Sequence, residues 1–210
     1  MAAQLPLKTQ WIQVRDRLAA KGLLGGAGLS LRCPGETLMW LGAAADAEPI
    51  VVDWRSAAPN GVAAVYAGVY RRRGDVGAIA WGGGQFGACL ADFGGWLPQA
   101  FDEQARHIGP MAAPIEHDAE LDAVLRSGGN ALLWRGVPLC LGTTGARLAL
   151  NAELFEKCAK AYVLAVAAGG RVEALPWWVR RIANARLAKD QRRAAQAFAS
   201  GELPLESNGY

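Results

Sequence analysis

The chain has 210 residues, 52% of them hydrophobic and 20% charged, with a formal net charge of +3. That balance is globular and gives no ground for disorder, and the length suits one domain with a large core. So small a charge does not call for nucleic acid or an anionic membrane, although Arg180, Arg181, Arg186, Lys189, Arg192 and Arg193 gather late in the chain.

Cys33, Cys89, Cys140 and Cys158 are scattered and form no Cys-x-x-Cys pair, and Met1 to Pro6 lacks the basic start and apolar run of a secretory signal. Both observations predict reduced, buried thiols and a cytoplasmic protein. Ala159 to Ala168, the longest nearly apolar helical stretch, is too short to cross a bilayer.

Thr9 to Ala20 sets Trp11, Ile12, Val14, Leu18 and Ala19 at helical spacing, and Lys21-Gly22 closes that helix. A glycine-rich turn, Gly25 to Gly28, leads into an alternating strand, Leu29 to Arg32. After a turn at Cys33 to Glu36, Thr37 to Leu41 returns, so a hairpin is expected. Pro49 to Asp53 reads as a third strand and Trp54 to Asn60 as a loop.

The most informative run follows. Val62 to Arg73 is a helix that carries Tyr66 toward the sheet, Gly74-Asp75 turns, Val76 to Trp81 is a buried strand, and Gly82-Gly83-Gly84 is a corner before a helix over Gln85 to Phe93. The corner lies at the strand's C-terminal end, where open α/β sheets place their chemistry. Beyond a turn at Gly94 to Pro98, Met111 to Ile115 is extended and Ala119 to Arg126 helical. Asn130 to Trp134 and Pro138 to Gly142 are strands, and Leu148 to Ala168 is a long helix. From Leu175 the character changes: Pro176-Trp177-Trp178 opens a basic helix that runs to Phe198, and Gly201 to Tyr210 is polar and expected to be loosely held.

Several of these segments resemble, in order, the motifs of the class II aldolase/adducin family. Tyr70 to Ile79 is similar to its Tyr-Arg-x-Arg-Pro-Asp and the strand after it, with Gly74 in the proline's place; Gly25, Gly28, Ser30 and Arg32 match its opening, and Glu156 to Ala159 its late helix. Phe101 to Ala105 resembles its Asp-Glu-x-Ala segment, and the likeness covers about Trp11 to Ala168. It implies a single α/β domain, a three-layer α/β/α sandwich whose central sheet is mixed and largely antiparallel, with residues 175–200 appended as an aromatic and basic helical segment. It also implies a homo-oligomer, by resemblance a tetramer with sites between subunits, in which the tryptophans at 177 and 178 take part in an interface.

The family's chemistry is not matched. Its His-x-His falls on Trp81 and Gly83, its third metal-ligating histidine on Arg135, and its Ser-Ser-Glu, aligned through Pro59, on Asn60, Gly61 and Val62; Leu29 replaces an Asn that helps bind phosphate. None of these replacements is a metal donor or an acid/base, and the two histidines, His107 and His117, lie elsewhere. No metal or cofactor is therefore expected.

Two readings follow. In the first, the protein is a catalytically degenerate aldolase-like protein that binds a partner or a small acidic ligand through Trp81, Gly82, Gly83, Trp134 and Arg135. Here either the guanidinium replaces the lost charge beside flat indoles, or the large side chains fill the pocket. In the second, it is a metal-independent lyase, isomerase or cyclase acting on a carbonyl or carboxylate substrate, with Tyr66, Asp102 and His107 as candidate catalytic residues. Gly-x-Ser-x-Gly, His-Glu-x-x-His and dinucleotide-binding signatures are absent.

Overall fold

Short strands that are apolar on both faces need helices on both sides, and the chain supplies them in that order. The computed structural model describes residues 4–26, 28–56 and 61–206. Helix α1 (Gln4–Ala20) precedes strands β1 (Leu29–Arg32), β2 (Leu38–Gly42) and β3 (Ile50–Asp53). Helix α2 (Val62–Arg72), strand β4 (Ala78–Trp81) and helices α3 (Gln85–Cys89), α4 (Asp102–His107) and α5 (Leu121–Leu125) follow. Strands β5 (Ala131–Trp134) and β6 (Val137–Gly142) and the long helices α6 (Gly145–Ala167) and α7 (Trp177–Ala199) complete the order.

The strands form a six-stranded sheet in the order β3-β2-β1-β4-β6-β5, and every named pairing is antiparallel. The parallel component is one isolated bridge, Ile115 to Trp134. Because side chains alternate along each strand, two cores result. Ala78, Ala80, Ala131, Leu133 and Cys140 face α1 and α6, whose Trp11, Leu18, Leu148 and Phe155 pack on them. Ile79, Leu132, Trp134, Leu139 and Leu141 face α2 and α5 with Tyr66, Tyr70 and Leu121. The cysteines are all free; burial pushes the Cys140 thiol up to about 12 and Cys33 to about 11.

The expected hairpin is β1–β2, in the register Leu29 opposite Gly42. Helix α1 begins earlier than the apolar spacing suggests, because Pro6 falls in its first turn, where the missing N–H costs no helical bond. The run from Gln85 to Phe93 divides into α3 and a 3₁₀ turn, Leu90–Phe93, ended by Gly94 at φ 92°. Helix α6 starts at Gly145 rather than Leu148, since the Thr144 hydroxyl caps it by accepting from the Arg147 backbone N–H at 3.1 Å. Pro59 and Asn60 lie outside the described residues.

Buried polar links fix the centre. Arg73 meets Asp75 through two bonds of 2.7 Å, and also donates to the Gly129 carbonyl at 3.0 Å and to Asn130 Oδ1 at 3.1 Å. Tyr70 and Ser30 share a hydroxyl bond of 2.7 Å, which ties α2 to β1. Helix α7 folds back on this core: Gln191 donates to the Gly128 carbonyl at 2.7 Å, and the Phe198 ring lies 4.7 Å from the Arg32 guanidinium carbon. Among the described residues no helix is long and apolar enough to cross a membrane.

Removing one partner of a buried bidentate pair leaves the other charge uncompensated. Arg73→Ala is therefore expected to lower unfolding stability by ~3–5 kcal/mol. Urea denaturation measures this, and a loss below ~1 kcal/mol, the range of exposed ion pairs, would show that Asp75 does not depend on Arg73.

Candidate functional site

Strand register brings the expected positions to one end of the sheet. Trp81 pairs with Leu139 and Trp134 with Val137, so β4, β6 and β5 present Trp81 and the Arg135-Gly136 turn side by side. The Trp81 and Trp134 rings lie 6.2 Å apart at 48°. Val62, at the start of α2, packs with Trp81 against the same apolar cluster that holds Tyr66 and Trp134. The indole N–H groups of both tryptophans are buried with no acceptor among the described residues.

The glycine corner is shaped by close approach. A Cβ on Gly82 would fall 1.9 Å from the Gly25 nitrogen, so these two glycines let the loop before β1 touch the end of β4. A Cβ on Gly83, at φ 77°, would fall 2.6 Å from the Pro138 ring. The N–H groups beyond the corner are already bound: Phe86 and Gly87 donate to the Glu156 carboxylate of α6 at 2.8 and 2.9 Å. The Glu156 carboxylate thus takes up the donors at the start of α3.

Arg135 does not point inward, as the alignment suggests. It occupies a two-residue turn in which it has φ 51° and Gly136 has φ 74°, the pattern of a type I′ hairpin. Its side chain is 61% exposed, donating to the Glu116 carbonyl at 3.1 Å and lying 3.8 Å from Asp118. Tyr66 is fully buried, with its hydroxyl donating to the Gly28 carbonyl at 2.9 Å; burial holds its pKa well above the usual phenol value. Asp102 and His107 stand on α4, apart from Tyr66, which belongs to α2. Tyr66 packs in the cluster that faces α2 and α5, whereas Ile108, next to His107, packs in the cluster on the other face of the sheet.

His107 instead belongs to a cluster for which the sequence gives little signal. Its Nδ1 accepts from Arg147 Nη1 at 3.0 Å, which leaves the ring proton on Nε2. Arg106 binds Asp190 at 2.5 Å, and Glu206 lies 3.9 Å from Arg147. These groups come from α4, α6, α7 and the segment after it, so no local spacing marks them; the one clue is Arg147 just inside the Thr144 cap. Among the described residues no three His, Cys, Asp or Glu side chains converge as a metal-binding group would.

No protein-family model matches the sequence, and no curated protein matches it. Solved structures do. The L-fuculose 1-phosphate aldolase from Glaciozyma antarctica superposes with TM-score 0.67 at 16% identity, over 94% of this chain and 92% of that one. The L-fuculose-1-phosphate aldolase from Thermus thermophilus gives 0.62 at 22%, over 81% and 99%. An aldolase II superfamily protein from Pseudomonas syringae gives 0.61 at 15%, over 93% and 96%. The fold is that of the class II aldolases, as the motif resemblance implies.

Burial, followed by Arg147 and Arg106, lowers the His107 pKa to about 4 from an ordinary value near 6.5, against weaker opposing pulls from Glu103 and Asp190. Between those values the unfolded chain takes up a proton that the folded chain refuses. Stability is thus lost as pH falls from about 6.5 toward about 4. His107→Gln is expected to flatten that part of the pH–stability curve in urea titrations, and an unchanged slope would refute the assignment.

Proposed function

We propose that this protein keeps the class II aldolase scaffold without its metal chemistry and works by binding a partner or small acidic ligand. The observation that carries the reading is Gly83 against Pro138. Where the family resemblance calls for a histidine, the proline ring stands 2.6 Å from the place a Cβ would take. Around it, the positions of the other ligand and of the acid/base, Trp81 and Val62, pack on apolar side chains. Tryptophan, glycine, arginine and valine offer no donor set for a divalent cation, so the residues present do not fit the family's metal. At this end the Tyr66 hydroxyl is buried on the Gly28 carbonyl and Asp118 stands exposed beside Arg135, an arrangement that favours a binding role over a metal-independent lyase. Arg135 remains as an exposed cation at the turn, held at a backbone angle that Asn or Gly would take with less strain, which suits contact with an acidic partner.

The test is calorimetric titration of the purified chain with zinc and manganese, beside the triple variant Trp81→His, Gly83→His, Arg135→His. Neither is expected to bind either metal stoichiometrically, because restoring imidazoles leaves Pro138 in the way. Stoichiometric binding by the parent chain, lost on changing residues near Trp81, would overturn the reading.

The same reading makes the protein a cytoplasmic homo-oligomer, with a tetramer favoured by resemblance. Supporting it, Trp177 and Trp178 are 67% and 55% exposed at the start of α7, and Ile182 is exposed one turn on. Light scattering on the eluting protein is expected to give a multiple of the chain mass, which Trp177→Glu with Trp178→Glu lowers; a monomeric parent would remove this part of the proposal.

A further inference from the structure

A cavity of about 440 Å³ opens at the end of the sheet opposite Trp81 and Arg135, where Asn130 leads into β5 and Thr143 leaves β6. Arg106 and His107 of α4, Arg147 of α6, and Asp190 and Arg193 of α7 line it. Residues 202–206, which follow α7, close one side.

Among the described residues the charges facing this space are three guanidinium groups, of Arg106, Arg147 and Arg193, and the carboxylates of Asp190, Glu202 and Glu206. Asp190 is shared between Arg106 at 2.5 Å and Arg193 at 4.0 Å. Glu206 is the carboxylate brought to the other side. It accepts from the Thr144 hydroxyl and lies 3.9 Å from Arg147, over the capped first turn of a 23-residue helix. Burial raises the Glu206 pKa against the pull of Arg147, so the site holds a partly desolvated carboxylate.

The segment that delivers Glu206 turns both of its leucines to solvent. Pro204 is buried, but Leu203 is exposed and Leu205 is 96% exposed, so Glu206 is held through its own polar contacts rather than through an apolar neighbour. A carboxylate on a short surface segment, seated on a hydroxyl, a guanidinium and a helix start, has the form of a ligand carried in cis.

We infer that this cavity is a binding site for a small carboxylate, and that residues 202–206 act as its built-in competitor, with the Glu206 side chain standing where the ligand's carboxylate would. Thr144 and Arg147 fix that carboxylate, while Arg106 and Arg193 draw anions toward the mouth. The site goes beyond the reading above, since it lies at the other end of the sheet and needs nothing from Trp81 or Arg135.

Succinate titrated calorimetrically into the full chain at neutral pH tests it. Glu206→Gln, which weakens the competitor, is expected to bind succinate about tenfold more tightly than the parent, the scale of one charge-assisted bond. Adding Arg147→Gln abolishes that binding. Should this second change cost the fold by circular dichroism, amide spectra of the parent decide instead: succinate must shift Thr144, Arg147 and Glu206 together. Equal affinity of parent and Glu206→Gln, no binding by Glu206→Gln at millimolar succinate, binding that survives Arg147→Gln, or shifts centred on Trp81 would each overturn the inference. A metal found near Trp81 would sink the metal-free reading and leave this one standing, and failure with succinate would do the reverse.

Discussion

The corner between α2 and β4 is held by one guanidinium. Arg73 uses Nε, Nη1 and Nη2 at once, on Asp75, the Gly129 carbonyl and Asn130. A buried charge pair is tolerable only when its remaining hydrogen-bonding capacity is met, and here it is met by backbone and side chain from the start of β5. Asn130 passes the link on, donating to the His107 carbonyl at 2.9 Å and accepting from Gln191 at 3.3 Å. Helices α2, α4 and α7 and strands β4 and β5 are thereby referred to one another, and the strand ends that carry Trp81 and Trp134 follow from that frame.

The residues that carry the family resemblance are, in this chain, parts of the frame. Tyr70 binds Ser30, Arg73 binds Asp75, Gly25 and Gly82 make room for each other, and Glu156 binds the N–H groups of Phe86 and Gly87. Such contacts depend on geometry alone, and no reacting group is needed to keep them. A motif match at these positions therefore reports fold and says little about chemistry. Of the positions that the resemblance aligns with the family's chemistry, Trp81 and Val62 pack on the apolar cluster of the α2 face, whereas Arg135 is exposed at its turn.

The fold was largely legible because strand alternation and helical spacing are local. Leu29 to Arg32 with Leu38 to Gly42, and the helices with Trp11 and Tyr66 on their buried faces, needed no long-range information. The candidate site was legible in position but not in orientation. Trp81 and Trp134 do meet, yet Arg135 turns outward, because a two-residue turn with positive φ at both residues sets its side chain by backbone geometry that alignment does not read. The cavity at the far end was illegible. Arg106, Arg147, Asp190 and Glu206 are contributed by separate segments, and only the packing of α7 on α4 brings them together.

The two ends of the sheet consequently obey different physics. At the Trp81 end, burying a large apolar side chain is worth ~1.5–3 kcal/mol, while a buried indole N–H without an acceptor costs ~1–3 kcal/mol. The unmet indole N–H groups of Trp81 and Trp134 offset part of what their apolar burial contributes, and shape fixes the rest of that end: Pro138 against Gly83 and one ring against the other. Shape of this kind changes little with salt or pH. At the other end guanidinium and carboxylate groups share the lining with apolar side chains such as Leu187 and Ala194, and the Arg147 side chain is only 14% exposed. Charges in such a half-closed space are screened less than surface pairs but still answer to protonation and competing anions.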